Sequence, residues 1–144
     1  MKRYFEEQGS DAVRTMLETA TDQHFILRLA IAEVTSAIVR RAMPDVSTRQ
    51  LTEFNTDMSN NLHMRPLNDE LIDDAVLLIQ QHRLRGCDSL QLAAALNLAD
   101  ELHQIAIDLE LDEAEAELTF VCADDLLNTA ATAEGLTVIN PNTL

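Results

Sequence analysis

Apolar residues recur along this chain in two periods, one helical and one of short continuous runs. Val13, Met16, Leu17 and Ala20 follow three- and four-residue spacing behind Ser10 and Asp11, either of which can cap a first helix. HFILR at 24–28 reads as a short strand. A helical pattern from about Ala30 to Ala42 must stop before Pro44, because a proline disfavours helical backbone in the residue ahead of it. Ser47 is expected to cap a more polar helix reaching about Leu62. MRPL at 64–67 is a weak extended segment whose Pro66 suits a sheet edge. Asn68 then caps a helix carrying Leu71, Ile72, Ala75, Val76, Leu78 and Ile79, and Gly86 is expected to end it. Asp88 or Ser89 caps a helix rich in Leu and Ala that runs to about Leu109. LTFVCA at 118–123 is of strand type, a helix from about Asp124 to Glu134 closes at Gly135, and TVIN at 137–140 is the last strand, ended by Pro141.

Strands alternating with helices predict an α/β domain with a mostly parallel sheet. Apolar runs such as FVCA suit strands covered on both faces. The 144 residues are 47% hydrophobic, with three glycines, three prolines and no repeat or low-complexity linker, so residues 1–144 read as a single domain with a core.

Charge narrows the functions. There are 25 acids against 10 bases, and residues 86–144 hold no Lys or Arg. A protein that coats nucleic acid needs a basic surface, and one that stacks bases needs aromatics, which are 3% here with no Trp. The start MKRYFEEQGS lacks the apolar stretch of a secretory signal, and no apolar run approaches 18 residues. Cys87 and Cys122 are too few for a disulfide framework, and are expected as buried structural thiols of a cytoplasmic protein, with a redox role beside the suspected acids as the alternative. His24, His63, His82 and His103 lack zinc-site spacing, and no phosphate-cradling glycine motif occurs. The acidic run DLELDEAEAE at 108–117 reads as a solvated helix end and loop, or as a surface for a basic partner.

The candidate chemistry lies in carboxylates. Glu33 sits inside LAIAEVTSAIV, on a face shared with Ala30 and Ala37. Turned toward protein, an ionised carboxylate there needs a partner or a metal; on an exposed stripe it needs neither. Asp88 follows Gly86 and Cys87 at a helix start, where a plain cap is the alternative. Asp124 and Asp125 follow an apolar strand directly and begin a helix, so a cap explains one of them, but they also lie at the end of the sheet where α/β proteins build their sites. Converging carboxylates repel, and without a cation one tends to keep its proton. Mg²⁺ or Mn²⁺ takes oxygen ligands, bridges to phosphate and activates water, which lets an acidic protein act on a polyanion. Arg83 and Arg85, just ahead of Asp88, could contact phosphates or simply favour a helix C-terminus.

With these residues in view, the chain resembles PIN domains, and more narrowly the VapC-like toxins of type II toxin–antitoxin systems. KRYFEEQGSDAVRTML resembles the segment after the family's first strand, and LRLAIAEVTSAIVRR the helix carrying its first Glu. LRGCDSLQLAAAL resembles the helix carrying an internal Asp, and FVCADDLLNTAATAEGLTVINP the fourth strand, last helix and closing strand. The resemblance implies a three-layer α/β fold and a metal-dependent endoribonuclease using Mg²⁺ or Mn²⁺. Asp88 and Asp124 match positions that hold the metal, Glu33 one that completes the cluster or orients water, and Asp125 is a supporting acid. It also implies an RNA substrate, a cognate antitoxin and a homodimer, while the lack of a long apolar run implies no membrane.

One departure matters. The family's first strand, apolar and ending in a metal-ligating Asp, has no counterpart here, since Met1 falls just after the place where it should end. The resemblance puts that strand at the centre of the sheet, between the strands at 24–28 and 118–123. Its loss is expected to remove a metal ligand and leave strand edges unpaired. Two accounts stand: a start lying upstream, or a non-catalytic PIN-like remnant that serves as a protein-interaction module. Weak or absent activity is expected of the chain as written.

Overall fold

A computed structural model describes residues 1–19, 22–112 and 117–144, so Ala20 and part of the acidic run at 108–117 lie outside the described residues. The structure is mixed α/β. The chain divides into two compact units, one of Met1–Leu67 with Pro141–Leu144, the other of Asn68–Asn140. The mostly parallel sheet, expected to lack its central strand, is represented among the described residues by two separate two-stranded parallel sheets, one in each unit.

The first unit runs α1 (Ser10–Glu18), β1 (His24–Leu27), α2 (Leu29–Arg41), α3 (Pro44–Asn60) and β2 (Leu62–Arg65), with a short 3₁₀ turn at Pro141–Thr143. Strands β1 and β2 pair from His24 beside Leu62 to Leu27 beside Arg65, and the Arg28 N–H extends the ladder to the Arg65 carbonyl at 2.9 Å. Pro66 follows β2 instead of lying within it, because it has no N–H to give a ladder. Helix α3 begins at Pro44, ahead of Ser47, since the first turn of a helix has no use for the missing proline N–H. The cap of α1 is Gly9, not Ser10 or Asp11. Buried Ser10 serves the preceding turn, its Oγ donating to the Phe5 carbonyl at 2.7 Å and accepting from the Glu7 N–H at 2.9 Å.

The core of this unit is built on Tyr4, Ile38 and Phe54, with Phe5, Ile31, Val34 and Leu51 packed around them. The Tyr4 and Phe54 rings meet edge to face, centroids 5.4 Å apart. A carboxylate lies beside this apolar cluster: Asp57 is only 3% exposed. It accepts from Arg3 Nε at 3.1 Å, Arg3 Nη2 at 3.3 Å, the Tyr4 hydroxyl at 3.0 Å and Asn61 Nδ2 at 3.3 Å. Burial, reinforced by the Asp57 charge, holds the Tyr4 hydroxyl well above its ordinary pKa, so it stays a donor.

The second unit runs α4 (Asp69–His82), α5 (Gly86–Leu109), β3 (Thr119–Val121), α6 (Asp125–Ala133) and β4 (Thr137–Ile139). Asn68 caps α4 as expected, its Oδ1 accepting from the Leu71 N–H at 2.9 Å. The helix ends at His82 with Arg83 left-handed (φ 56°), so Gly86 opens the next helix instead of closing this one. Leu71, Ala75 and Leu78 of α4, Leu92, Ala93 and Leu98 of α5, and Leu127, Ala130 and Ala131 of α6 are the buried faces. Strands β3 and β4 pair from Thr119 beside Thr137 to Val121 beside Ile139. The expected cover on both faces of β3 is missing, for Val121 is 45% exposed.

Gly9 is the tightest backbone position. Its φ is +80°, and a Cβ there would strike the backbone carbonyl of Pro141, part of the same unit. Gly9→Ala is expected to lower stability by about 2 kcal/mol or more, through left-handed strain together with the clash. Chemical denaturation of the variant beside the parent measures it.

Candidate functional site

The connection from β3 to β4 sets the site. Val121 ends β3, the Cys122 N–H extends the ladder to the Ile139 carbonyl at 3.0 Å, and the chain turns at once into α6. Asp124 sits at that turn as the cap of α6, one carboxylate oxygen accepting from the Leu127 N–H at 2.9 Å. Its own N–H donates to Cys122 Sγ at 3.3 Å. The side chain is exposed at the carboxyl end of a parallel strand, as the sequence led one to expect.

Asp88 comes from the first turn of α5 and is half-buried. It is not the helix cap, and neither is Ser89, whose buried hydroxyl donates to the Gly86 carbonyl at 2.9 Å. The Asp88 carboxyl is held above the usual carboxylate range by burial first and by the negative charge of Asp124 second, while the Arg85 guanidinium pulls it back. Asp88 and Asp124 therefore share one neighbourhood. Cys122 belongs to it: burial pushes its thiol up, the Asp124 N–H counteracts, and the charges of Asp124 and Asp88 add to the rise. Both carboxylates stand at helix N-termini, whose positive dipole ends offset part of the repulsion.

Asp125, exposed in the first turn of α6, accepts from Asn140 Nδ2 at 3.2 Å. Glu33 lies half-exposed on α2 in the other unit. Cys87 is exposed, not the buried thiol expected, while Cys122 is partly buried. Arg83 and Arg85 are both exposed on the turn between α4 and α5. Sequence reasoning missed Asn128, one turn beyond Asp124. Its Nδ2 donates to the Cys122 carbonyl at 3.0 Å, tying α6 to the end of β3, and its buried Oδ1 has no hydrogen-bond partner among the described residues. The only signal for it was the four-residue spacing from the cap.

The described residues hold no group of three or more His, Cys, Asp or Glu side chains placed to bind a metal ion. Two carboxylates still suit Mg²⁺, which keeps several waters and commonly takes one or two carboxylates with substrate phosphates supplying the rest. Burial and, after it, the Asp124 charge raise the Asp88 carboxyl, and a divalent cation would relieve the second.

No family model matches the chain, and no curated protein or solved structure matches it either. Among the described residues no helix is long and apolar enough to cross a membrane.

The raised Asp88 carboxyl has a thermodynamic consequence. A carboxyl whose folded pKa lies above its unfolded value stabilises the fold while protonated, and that contribution is lost as pH rises through the folded pKa. Asp88→Asn is therefore expected to raise Tm at neutral pH without divalent ions, on the order of a degree or two for a partly exposed group. The gain should vanish in acid, where the parent carboxyl is itself protonated. Thermal melts of both proteins across pH check the sign.

Proposed function

We propose that the chain is a PIN-type domain of the VapC-like kind, a metal-dependent endoribonuclease that hydrolyses RNA phosphodiester bonds. The observation that supports it most is the neighbouring Asp88 and Asp124, at the carboxyl end of a parallel strand and the heads of two helices, with the Asp88 carboxyl raised by burial and then by the Asp124 charge. A bound Mg²⁺ or Mn²⁺ would supply Lewis acidity toward a phosphodiester and an activated water. Asp88 and Asp124 would hold the ion, with Asp124 oriented by its cap bond to Leu127. Arg83 and Arg85 are exposed cations ahead of Asp88, suited to RNA phosphates. The resemblance supplies the further proposals of a cognate antitoxin and a second copy of the chain as partners.

Activity in this chain is expected to be weak. A pair of carboxylates leaves more of the ion's shell to water than a full cluster does, and no larger donor group occurs among the described residues. That same observation favours the second reading, a non-catalytic PIN-like module that binds a protein partner. Incubation of single-stranded RNA with the 144-residue chain, with Mg²⁺ or Mn²⁺ and with chelator, separates the two. The enzyme reading expects slow, chelator-sensitive cleavage that drops at least about tenfold in Asp124→Asn. No cleavage in either metal ion, or cleavage untouched by Asp124→Asn, overturns it; a small protein captured without nuclease activity would then speak for the module.

A further inference from the structure

Helix α5 leaves the core it begins in. Leu98, Leu102, Ile105 and Leu109 follow four-, three- and four-residue spacing and so form one stripe on the helix. At its start the stripe is core, with Leu98 5% exposed; at its end Ile105 is 49% and Leu109 64% exposed. Glu101 and Asp108, four residues before and three after Ile105, border the stripe on one side, and both are exposed.

The end of the helix is well defined. Glu110 is left-handed at φ 55°, its N–H donates to the Ile107 carbonyl at 3.2 Å, and the Leu111 N–H donates to the Ala106 carbonyl at 2.9 Å. This bond pair is the Schellman turn, which folds the next residue back over the last helical turn. Here that residue is the 45%-exposed Leu111, so the turn adds a third exposed apolar residue at the end of the helix. Scattered exposed leucines are ordinary on a protein surface, but a continuous stripe issuing from the core marks an interaction surface.

Charge identifies the occupant. No Lys or Arg follows Arg85, and the chain carries a net charge of −15. A second copy would bring like charge against Glu101 and Asp108, whereas a cationic partner is drawn in. We propose that the C-terminal end of α5 docks a cationic amphipathic helix of another protein, its apolar face on Ile105, Leu109 and Leu111 and its basic flank on Glu101 and Asp108. The proposal does not rest on the nuclease reading, because it concerns neither Asp88 nor Asp124.

The probes are three synthetic helical peptides of one pattern: Leu with Lys, Leu with Glu, and Ser with Lys. Titration is followed by fluorescence anisotropy. The Leu/Lys peptide is expected to bind, to weaken when salt rises from about 50 to about 500 mM, and to lose at least about tenfold in affinity in the double variant Ile105→Ser, Leu109→Ser. The Leu/Glu peptide is expected not to bind. A control variant, Val39→Ser with Met43→Ser, alters apolar residues exposed by 57% and 79% in the other unit and should bind like the parent. All four positions are exposed, and circular dichroism confirms that the variants fold. Equal binding by the Ile105/Leu109 variant, equal binding of the Ser/Lys peptide, or a homodimer that the same double variant dissolves would each overturn the proposal.

Discussion

Two neighbouring strands can run parallel only if the chain crosses back between them, and both sheets among the described residues are parallel pairs. Strands of three or four residues form too few ladder bonds to stand alone, so each pair depends on the helices of its crossover. In the first unit α2 and α3 make the crossing and bring Ile38 and Phe54 together with Tyr4 in a core. In the second unit α6 alone makes it. The helix must start almost as soon as β3 ends, so its cap, Asp124, is held at the strand's carboxyl end. The position of the candidate site is thus a consequence of strand connection before it is one of chemistry.

Two aspartates show how differently one side chain can be treated. Asp57 is almost wholly buried, yet Arg3 meets it with two nitrogens, and Tyr4 and Asn61 add two further donors. Its charge is answered within the fold, as a buried carboxylate requires. Asp88 is less buried, but its largest influence after burial is another carboxylate, and Arg85 offsets this only in part. The first arrangement holds a structure together. The second is left short of positive charge, which is the condition in which a carboxylate pair attracts a hard cation. The acid excess of a stretch with no Lys or Arg after Arg85, seen in exposed Glu101 and Asp108, extends the same imbalance to a larger scale, where a protein partner can answer it.

Most elements were legible because their signal is local. Helical spacing of Leu71, Ala75 and Leu78 buries those residues on α4, and Asn68 and Asp124 cap the helices they precede, since a side-chain oxygen needs only a nearby N–H. Other helix starts were misplaced where the competing signal was not local. Ser10 looked like a cap, but its hydroxyl is engaged by Phe5 and Glu7, leaving the cap to a left-handed Gly9. Gly86 looked like a helix stop, but Arg83 takes the left-handed position first. Ser47 lost its role to Pro44, which suits the first helical turn.

The sequence by itself determined the alternation of helices and strands, the acidic excess, and the presence of aspartates at the head of α5 and at the turn into α6, because periodicity, charge count and turn chemistry are properties of neighbouring residues. Only the tertiary structure decided which acids meet. Asp88 and Asp124 lie far apart in the chain and come together through the packing of α5 and α6, whereas Asp125 turns to Asn140 one residue from Asp124. Tertiary packing also decided that Asp57, unremarked in the sequence, is the buried carboxylate, and that the apolar stripe of α5 runs out into solvent. Burial is set by what covers a residue, and covering residues come from distant parts of the chain.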